Sequence, residues 1–300
     1  NFRNVPRKIS SYNFLILQTV SDLDIHVIDF QSALAPDVFT ESLKNTGFAV
    51  IKNHPIDIEL VNEVYNEWEV FFNSDNKHDY KFNLETQDGY FPFGKENAKG
   101  YTHKDLKEFF QIYPWGQYPN LLSKKTMELY GNLCDISGTL LSWVEDNCPE
   151  DIKNSFSEPL SKMIDNSPQN MLRIIHYPPL RATDSPEAVR AAAHEDINLL
   201  TILCAATSPG LQARDLDGNW IDVPADPGMI AVNTGDMLQM ATDGYFPSTT
   251  HRVINPPNDK RETSRLSMPL FLHPHDHVQL SKTHTAGSYL SERLEEIGLI

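Results

Sequence analysis

The spacing of apolar positions changes character partway along the chain. Residues 25–30 are a short strand-like run, residues 37–44 are spaced as an amphipathic helix leading to Gly47, and residues 48–51 form a second apolar run stopped at Asn53-His54-Pro55. Over 58–72 the residues Leu60, Val61, Val64, Tyr65, Trp68 and Phe72 recur at the helical period, which predicts a helix with one buried stripe. Residues 73–120 are rich in aromatics, Gly and Lys with weak periodicity, and are expected to be loops draped over the rest. A second long helix is predicted over 122–147, where Met127, Leu129, Tyr130, Leu133, Ile136, Leu140, Leu141 and Trp143 supply a broad apolar face.

Beyond residue 170 the pattern becomes one of short β-rich runs at 172–177, 198–204, 211–214, 220–223, 229–232, 250–254 and 265–272, with Asp217-Gly218 as a hairpin turn signal. Leu290 and Leu294 lie at helical spacing in a tail helix expected at 288–297. An α/β front followed by closely spaced strands predicts an α+β protein with a sandwich or barrel of the jelly-roll kind.

Composition narrows the partners. Against 41 acidic side chains there are 25 basic ones, a formal charge of −16, and no dense Lys/Arg stripe. Binding through a nucleic-acid backbone or an anionic membrane is therefore not expected. The longest apolar runs are strand-sized, and Asn1-Phe2-Arg3-Asn4 does not read as a leader. Cys134, Cys148 and Cys204 form neither a complete disulfide framework nor a C-x-x-C pair, which suits a reducing, cytoplasmic setting.

Several motifs fail on inspection. Gly89 and Gly94-Lys95 match part of a phosphate loop, but Glu96 stands where Mg²⁺ binding needs Ser or Thr, and the intervening residues are bulky. His194-Glu195 would open a zinc-protease helix only with histidine at 198, which is Asn198. Neither G-x-G-x-x-G nor G-x-S-x-G occurs.

Two H-x-D triplets remain. His103-Lys104-Asp105 lies among charged residues and is expected to be a solvated surface segment. His194-Glu195-Asp196 opens the apolar run 197–203; if that run is a strand, the His194 and Asp196 side chains share a face and Glu195 points away. His251, in another strand-like run, is a third ligand, and two His with one carboxylate are the facial triad of non-haem Fe(II) oxygenases. Arg265-Leu266-Ser267 places a guanidinium beside a hydroxyl, a fork suited to a carboxylate.

From about 171 to 275 the chain resembles the isopenicillin N synthase-like branch of the 2-oxoglutarate and Fe(II)-dependent dioxygenases. The resemblance rests on Leu172-Arg173-Ile174-Ile175-His176-Tyr177-Pro178-Pro179, on the run 194–203, on Gly210-Leu211-Gln212 with Trp220, on Val232-Asn233-Thr234-Gly235-Asp236, on His251-Arg252-Val253 and on Arg265-Leu266-Ser267. The stretches 25–30 and 47–54 look like the family's N-terminal region. The resemblance implies a double-stranded β-helix, a distorted jelly roll, with flanking helices. It divides the chain into an N-terminal α/β region at 1–120, a helical segment at 121–165, the jelly roll at 166–280 and a C-terminal helix at 281–300.

It also implies that His194, Asp196 and His251 bind Fe(II), that Arg265 and Ser267 hold the distal carboxylate of 2-oxoglutarate, and that Tyr177 adds a phenolic hydrogen bond. The chemistry implied is oxidation, chiefly hydroxylation, of a small organic substrate by O₂ as 2-oxoglutarate becomes succinate, with ascorbate as an accessory reductant. Halogenation is disfavoured because Asp196 occupies the position halogenases leave open. Plant members carry Asn-Tyr-Tyr-Pro where this chain has Ile175-His176-Tyr177-Pro178, so Tyr177 has an ordinary strand aromatic as its alternative.

Two other readings stay open: an isopenicillin N synthase-like oxidase that does not use 2-oxoglutarate, and a metal-binding jelly-roll sensor without turnover. Substrate choice is expected in residues 90–101 and 181–190. His273-Pro274-His275-Asp276-His277 is expected to be a solvated turn. If Tyr177 faces inward, so does Arg173, a candidate contact for an anionic substrate or else part of an internal salt bridge.

Overall fold

The computed structural model describes residues 25–95, 103–185, 187–215 and 217–298. The chain opens with β1 (Val27–Asp29), α1 (Ala35–Thr46) and β2 (Phe48–Lys52), with β1 and β2 running parallel. Gly47 ends α1 in the left-handed region, φ 68°, returning its N–H to Leu43 O. A Cβ there would stand 2.2 Å from Thr249 Oγ1, so the turn into β2 has room only for glycine. Next comes α2 (Ile58–Phe72), capped by the Asp57 carboxylate on Glu59 N–H.

After β3 (Gly89–Phe91) and β4 (Glu108–Ile112), the long α3 (Lys125–Asn147) packs on α1 and α2, and the short α4 (Glu150–Lys153) and α5 (Leu160–Met163) lead to the strand-rich half. There follow β5 (Met171–Tyr177), β6 (Ala191–His194), β7 (Leu200–Cys204), β8 (Leu211–Arg214), β9 (Trp220–Asp222), β10 (Ile230–Thr234), α6 (Asp236–Ala241), β11 (His251–Val253), β12 (Arg265–Ser267), β13 (Pro269–Leu272) and α7 (Ala286–Ile297). A nine-stranded sheet runs β1-β2-β10-β7-β13-β5-β4-β3, with β12 beside β5; a four-stranded sheet runs β6-β11-β8-β9.

The two sheets face each other as the expected jelly roll. Strand alternation assigns the layers. On β5, Leu172 and Ile174 face the helices, while Ile175 and Tyr177 join Phe48, Phe109, Leu211 and Val253 between the sheets. The large sheet is buried on both faces, so its strands read as nearly continuous apolar runs.

The structure corrects four expectations. Residues 73–120 are not only loops, since β4 pairs with β5 in the large sheet. Burial on both faces removes the period-two signal, and Glu108 and Gln111 inside β4 disguise it further. Secondly, 198–204 is not one strand; residues 197–199 bend. The Asn198 amide donates to Leu200 O and Thr201 Oγ1, a local pattern that competes with ladder pairing.

Thirdly, Asp105 is buried, accepting from Ala192 N–H at 3.0 Å and pairing with Lys107 at 2.9 Å, so the segment around it is not a purely solvated one. Fourthly, His273 is buried, whereas His277 in the same run is exposed. Residues 1–24, 96–102, 186, 216 and 299–300 lie outside the described residues, and with them the 96–101 part of the expected 90–101 substrate segment.

Candidate metal centre

His194 ends β6 and His251 begins β11, directly opposite it in the antiparallel register. Their ring centroids are 4.4 Å apart. Asp196 follows β6 just before the bend, and its Oδ1 lies 3.8 Å from His194 Nε2 and 3.7 Å from His251 Nε2. Among the described residues these three form the cluster of potential metal ligands, all ligand atoms falling within 4.8 Å of one another. The expected triad is thus assembled, but by a strand end and the irregular segment after it rather than by alternation along one strand. Glu195 does point away, exposed and accepting from Thr250 Oγ1.

The remaining polar atoms of the cluster are spoken for. His194 Nδ1 is 2.8 Å from Ala192 O and His251 Nδ1 is 3.1 Å from Thr249 O. A carbonyl only accepts, so each Nδ1 carries the proton and each Nε2 offers its lone pair, the tautomer a metal requires. Asp196 Oδ2 accepts from Thr201 Oγ1 at 2.5 Å and Asn233 Nδ2 at 2.8 Å, leaving Oδ1 toward the histidines. This donor set fits a divalent first-row metal with vacant positions.

Burial, and then the neighbouring His251, hold the His194 imidazole down to about 4. Burial by itself would raise the Asp196 carboxyl; the two histidines and the hydrogen bonds from Asn233 and Thr201 outweigh it and keep the group below its ordinary range.

The bend is held by the start of α6. Asp236 N–H donates to Asp196 O at 2.7 Å, Gly235 N–H to Leu199 O at 3.0 Å, and Met237 N–H to Asn198 O at 3.1 Å, so donors free at a helix start clamp the ligand-bearing segment. A Cβ on Gly235 would fall 2.1 Å from Asn198 O, which explains the glycine in Val232-Asn233-Thr234-Gly235-Asp236. The N-terminal half buttresses the other side, Phe48 packing edge-on against His251 at 5.7 Å.

A cavity of about 790 Å³ opens above His194 and Asp196. Its wall includes Tyr113, Trp115, Phe271 and His273, and α7 contributes Leu290 and Leu294. Arg173 is in this wall, on the same face of β5 as Tyr177, its guanidinium 4.4 Å from the Phe109 ring centroid and donating to Gln111 Oε1 at 2.6 Å. Among the described residues, neither 90–95 nor 181–190 lines the cavity; residues 85–87 and α7 do instead.

A smaller recess shares Arg173, His194, Asp196 and Phe271 with the cavity and continues to His251, Tyr177 and Ser267; Lys107 also borders it. Arg265 pairs with Tyr177 across β12 and β5 and borders an adjoining gap; Leu203 and Leu211 line both spaces. Its guanidinium sits 5.0 Å from the Tyr177 ring centroid and its Nε donates to Ser208 O.

The His176 departure has its own explanation: on the helix side of β5 its Nδ1 meets Glu108 Oε1 at 2.8 Å, and Lys77 and Tyr90 donate to the same carboxylate. Burial would raise the Glu108 carboxyl, and these bonds hold it down instead. The sequence carries no local signal for the parts played by Thr201, Asn233 and Lys107, and Arg190 stands out in it only as the end of the 181–190 segment. Asn233 lay in a quoted motif, but nothing local indicated that its amide would reach Asp196.

Residues 168–274 match the 2OG-Fe(II) oxygenase superfamily, and residues 25–129 match the non-haem dioxygenase in morphine synthesis N-terminal family. A Shewanella oneidensis protein assigned as an oxygenase is 50% identical, with a TM-score of 0.84, over 93% of this chain and 100% of that one. Gibberellin 2-beta-dioxygenase 1 of Arabidopsis thaliana is 28% identical over 275 residues, 83% of this chain and 78% of that protein. The fold is also that of a full-length Neurospora crassa protein solved in complex with alpha-KG, with a TM-score of 0.76 at 23% identity over 92% of this chain and 97% of that one. On the strength of these matches and of the His194–Asp196–His251 cluster, the chain belongs to the 2OG-Fe(II) oxygenase superfamily, an iron- and 2-oxoglutarate-using dioxygenase.

Proposed function

We propose that His194 Nε2, Asp196 Oδ1 and His251 Nε2 hold Fe(II), and that the enzyme hydroxylates a small anionic organic substrate bound in the outer cavity. The observation that carries this reading is the tethering of every other polar atom of the triad, which leaves three ligand atoms converging where the outer cavity meets the inner recess. Bound there, Fe(II) would supply the redox chemistry by which 2-oxoglutarate and O₂ become succinate and CO₂ while one oxygen atom enters a substrate C–H bond.

The protein's own groups divide the remaining work. Asp196 supplies the negative charge that retains the divalent ion, and Thr201 with Asn233 keeps its second oxygen occupied. Arg265 and Ser267 would hold the distal carboxylate of 2-oxoglutarate, Tyr177 lining the recess beside them. In the outer cavity the Arg173 guanidinium, packed against Phe109 and Phe271, would meet the substrate anion. Leu290 and Leu294 of α7 form an apolar part of the wall that limits water there.

Anaerobic titration of the Fe(II) protein with 2-oxoglutarate should give a visible charge-transfer band, and a panel of small carboxylic acids should be screened for substrate-stimulated succinate release. Arg265→Lys should weaken 2-oxoglutarate binding while iron still binds, because an ammonium keeps the charge and loses the fork. Without any band from the wild-type protein, an oxidase using no 2-oxoglutarate would become the better reading.

A further inference from the structure

We infer that Arg190 is a second cationic residue at the cosubstrate end of the site, a positioning residue that works beside Arg265 to draw in and orient a distal carboxylate. The inference rests on the assignment of Arg265 and Ser267 made above. Arg190 immediately precedes β6, the strand that ends in His194, and is 1% exposed. Its Cζ lies 5.8 Å from the centroid of the Tyr177 ring, and the Arg265 Cζ lies 5.0 Å from the same centroid. Two guanidinium groups are therefore buried around one tyrosine.

Among the described residues, no carboxylate neutralises either of them. Arg190 Nη2 donates to Thr263 O at 2.9 Å and Arg265 Nε to Ser208 O at 2.9 Å, both neutral carbonyls. Arg190 Nε and Arg265 Nη1 are buried without a hydrogen-bond partner, and among the described residues neither guanidinium has a carboxylate within ion-pair distance. Burial, followed by repulsion from Arg265, draws Arg190 down to about 10, still cationic at neutral pH.

A buried cation pair kept for structure would carry a counter-charge, because a buried ion without one is strongly disfavoured. A pair without one is suited to an anion that arrives from outside. A 2-oxo acid with a distal carboxylate supplies that anion at the recess end where Ser267 and Tyr177 stand. A chelator lacking the distal carboxylate leaves both charges unmatched. Arg190 borders neither the cavity nor the recess, so it acts through its field and through Tyr177 and Arg265 rather than by touching the reacting atoms.

The test is anaerobic calorimetric titration of the Fe(II)-loaded wild type, Arg190→Met and Arg190→Lys with 2-oxoglutarate and, separately, with oxalate, together with melting of each ligand-free protein. Arg190→Met should raise the 2-oxoglutarate Kd roughly tenfold, the size of one nearby charge in a partly screened site. Arg190→Lys should recover most of that loss. Oxalate and Fe(II) affinities should stay unchanged, and the ligand-free Arg190→Met protein should melt no lower than wild type, since one of two repelling charges is gone.

Unaltered 2-oxoglutarate affinity in Arg190→Met, equal weakening for oxalate, a lysine variant no better than methionine, or a ligand-free Arg190→Met protein that melts well below wild type would each overturn the inference. A wild-type protein that binds oxalate but not 2-oxoglutarate would instead remove the Arg265 assignment on which it stands.

Discussion

Asn233 donates its side-chain amide to Asp196 Oδ2 at 2.8 Å across a separation of 37 residues. The bond joins the end of β10 to the segment after β6, and with the Thr201 hydroxyl it decides which carboxylate oxygen faces His194 and His251. A carboxylate on an irregular segment is oriented here by partners on two regular strands.

Asn233→Ala and Thr201→Val should each lower Fe(II) affinity by about 10- to 100-fold while the fold survives, the usual cost of removing an outer partner of a metal ligand. Equilibrium binding of Fe(II), or of Mn(II) as an air-stable substitute, measures this directly. Unchanged affinity in both variants would mean that the carboxylate is oriented by the backbone clamp from α6 alone.

His194→Ala, Asp196→Ala and His251→Ala should abolish turnover and stoichiometric iron retention, because the three ligands act as a unit. His103→Ala should do neither; its ring is partly exposed and meets Glu187 at 3.4 Å. Iron content after gel filtration compares the four proteins.

Gly235→Ala should destabilise the protein by about 1–3 kcal/mol, the common range for a side chain forced into a filled space. The added methyl would stand 2.1 Å from Asn198 O, so the bend after Asp196 must move. Thermal melting and metal titration should fail together in this variant. A normal melting curve with normal iron binding would show that the α6 clamp is dispensable.

Arg173→Ala should sharply lower succinate formation that depends on an anionic substrate, while the 2-oxoglutarate charge-transfer titration stays as in wild type. The separation follows from where the side chain sits, in the outer cavity wall against Phe109 and Phe271. Equal effects on both readouts would place Arg173 with the cosubstrate instead.

Burial depresses His273 from 6.5 to about 4 in the folded chain. Protonation therefore favours the unfolded state, so this group's contribution to stability is complete above pH 6.5 and is lost progressively as pH falls toward 4. The loss amounts to on the order of 3 kcal/mol at the acid end. In His273→Gln the melting temperature should change less between pH 7 and about pH 5 than in wild type.

Local patterning was enough for much of the scaffold. The stripe from Leu60 to Phe72 predicted α2 with the limits it has, and the apolar face from Met127 to Trp143 predicted most of α3, because an amphipathic helix writes its period into consecutive residues. Short runs such as 211–214 named strands for a similar reason. The triad, too, was legible, since H-x-D and a later His-Arg-Val are chemical signatures that do not depend on knowing which element bears them. What the sequence could not show was β4, whose Glu108 and Gln111 look like loop residues until Lys77, His176 and Tyr90 are folded around the first.

Nor could it show that Asp196 leaves the strand. That outcome depends on Asn198 and on the free N–H groups at the start of α6, whose approach is set by chain closure over long separations. The pairing of Arg190 with Arg265 around Tyr177 belongs to the same class. The sequence alone determined the chemistry available, the periodic elements and the order in which they come. Tertiary structure decided which polar groups share a buried space, because burial and partnership depend on distances between segments far apart in the chain and not on any local period.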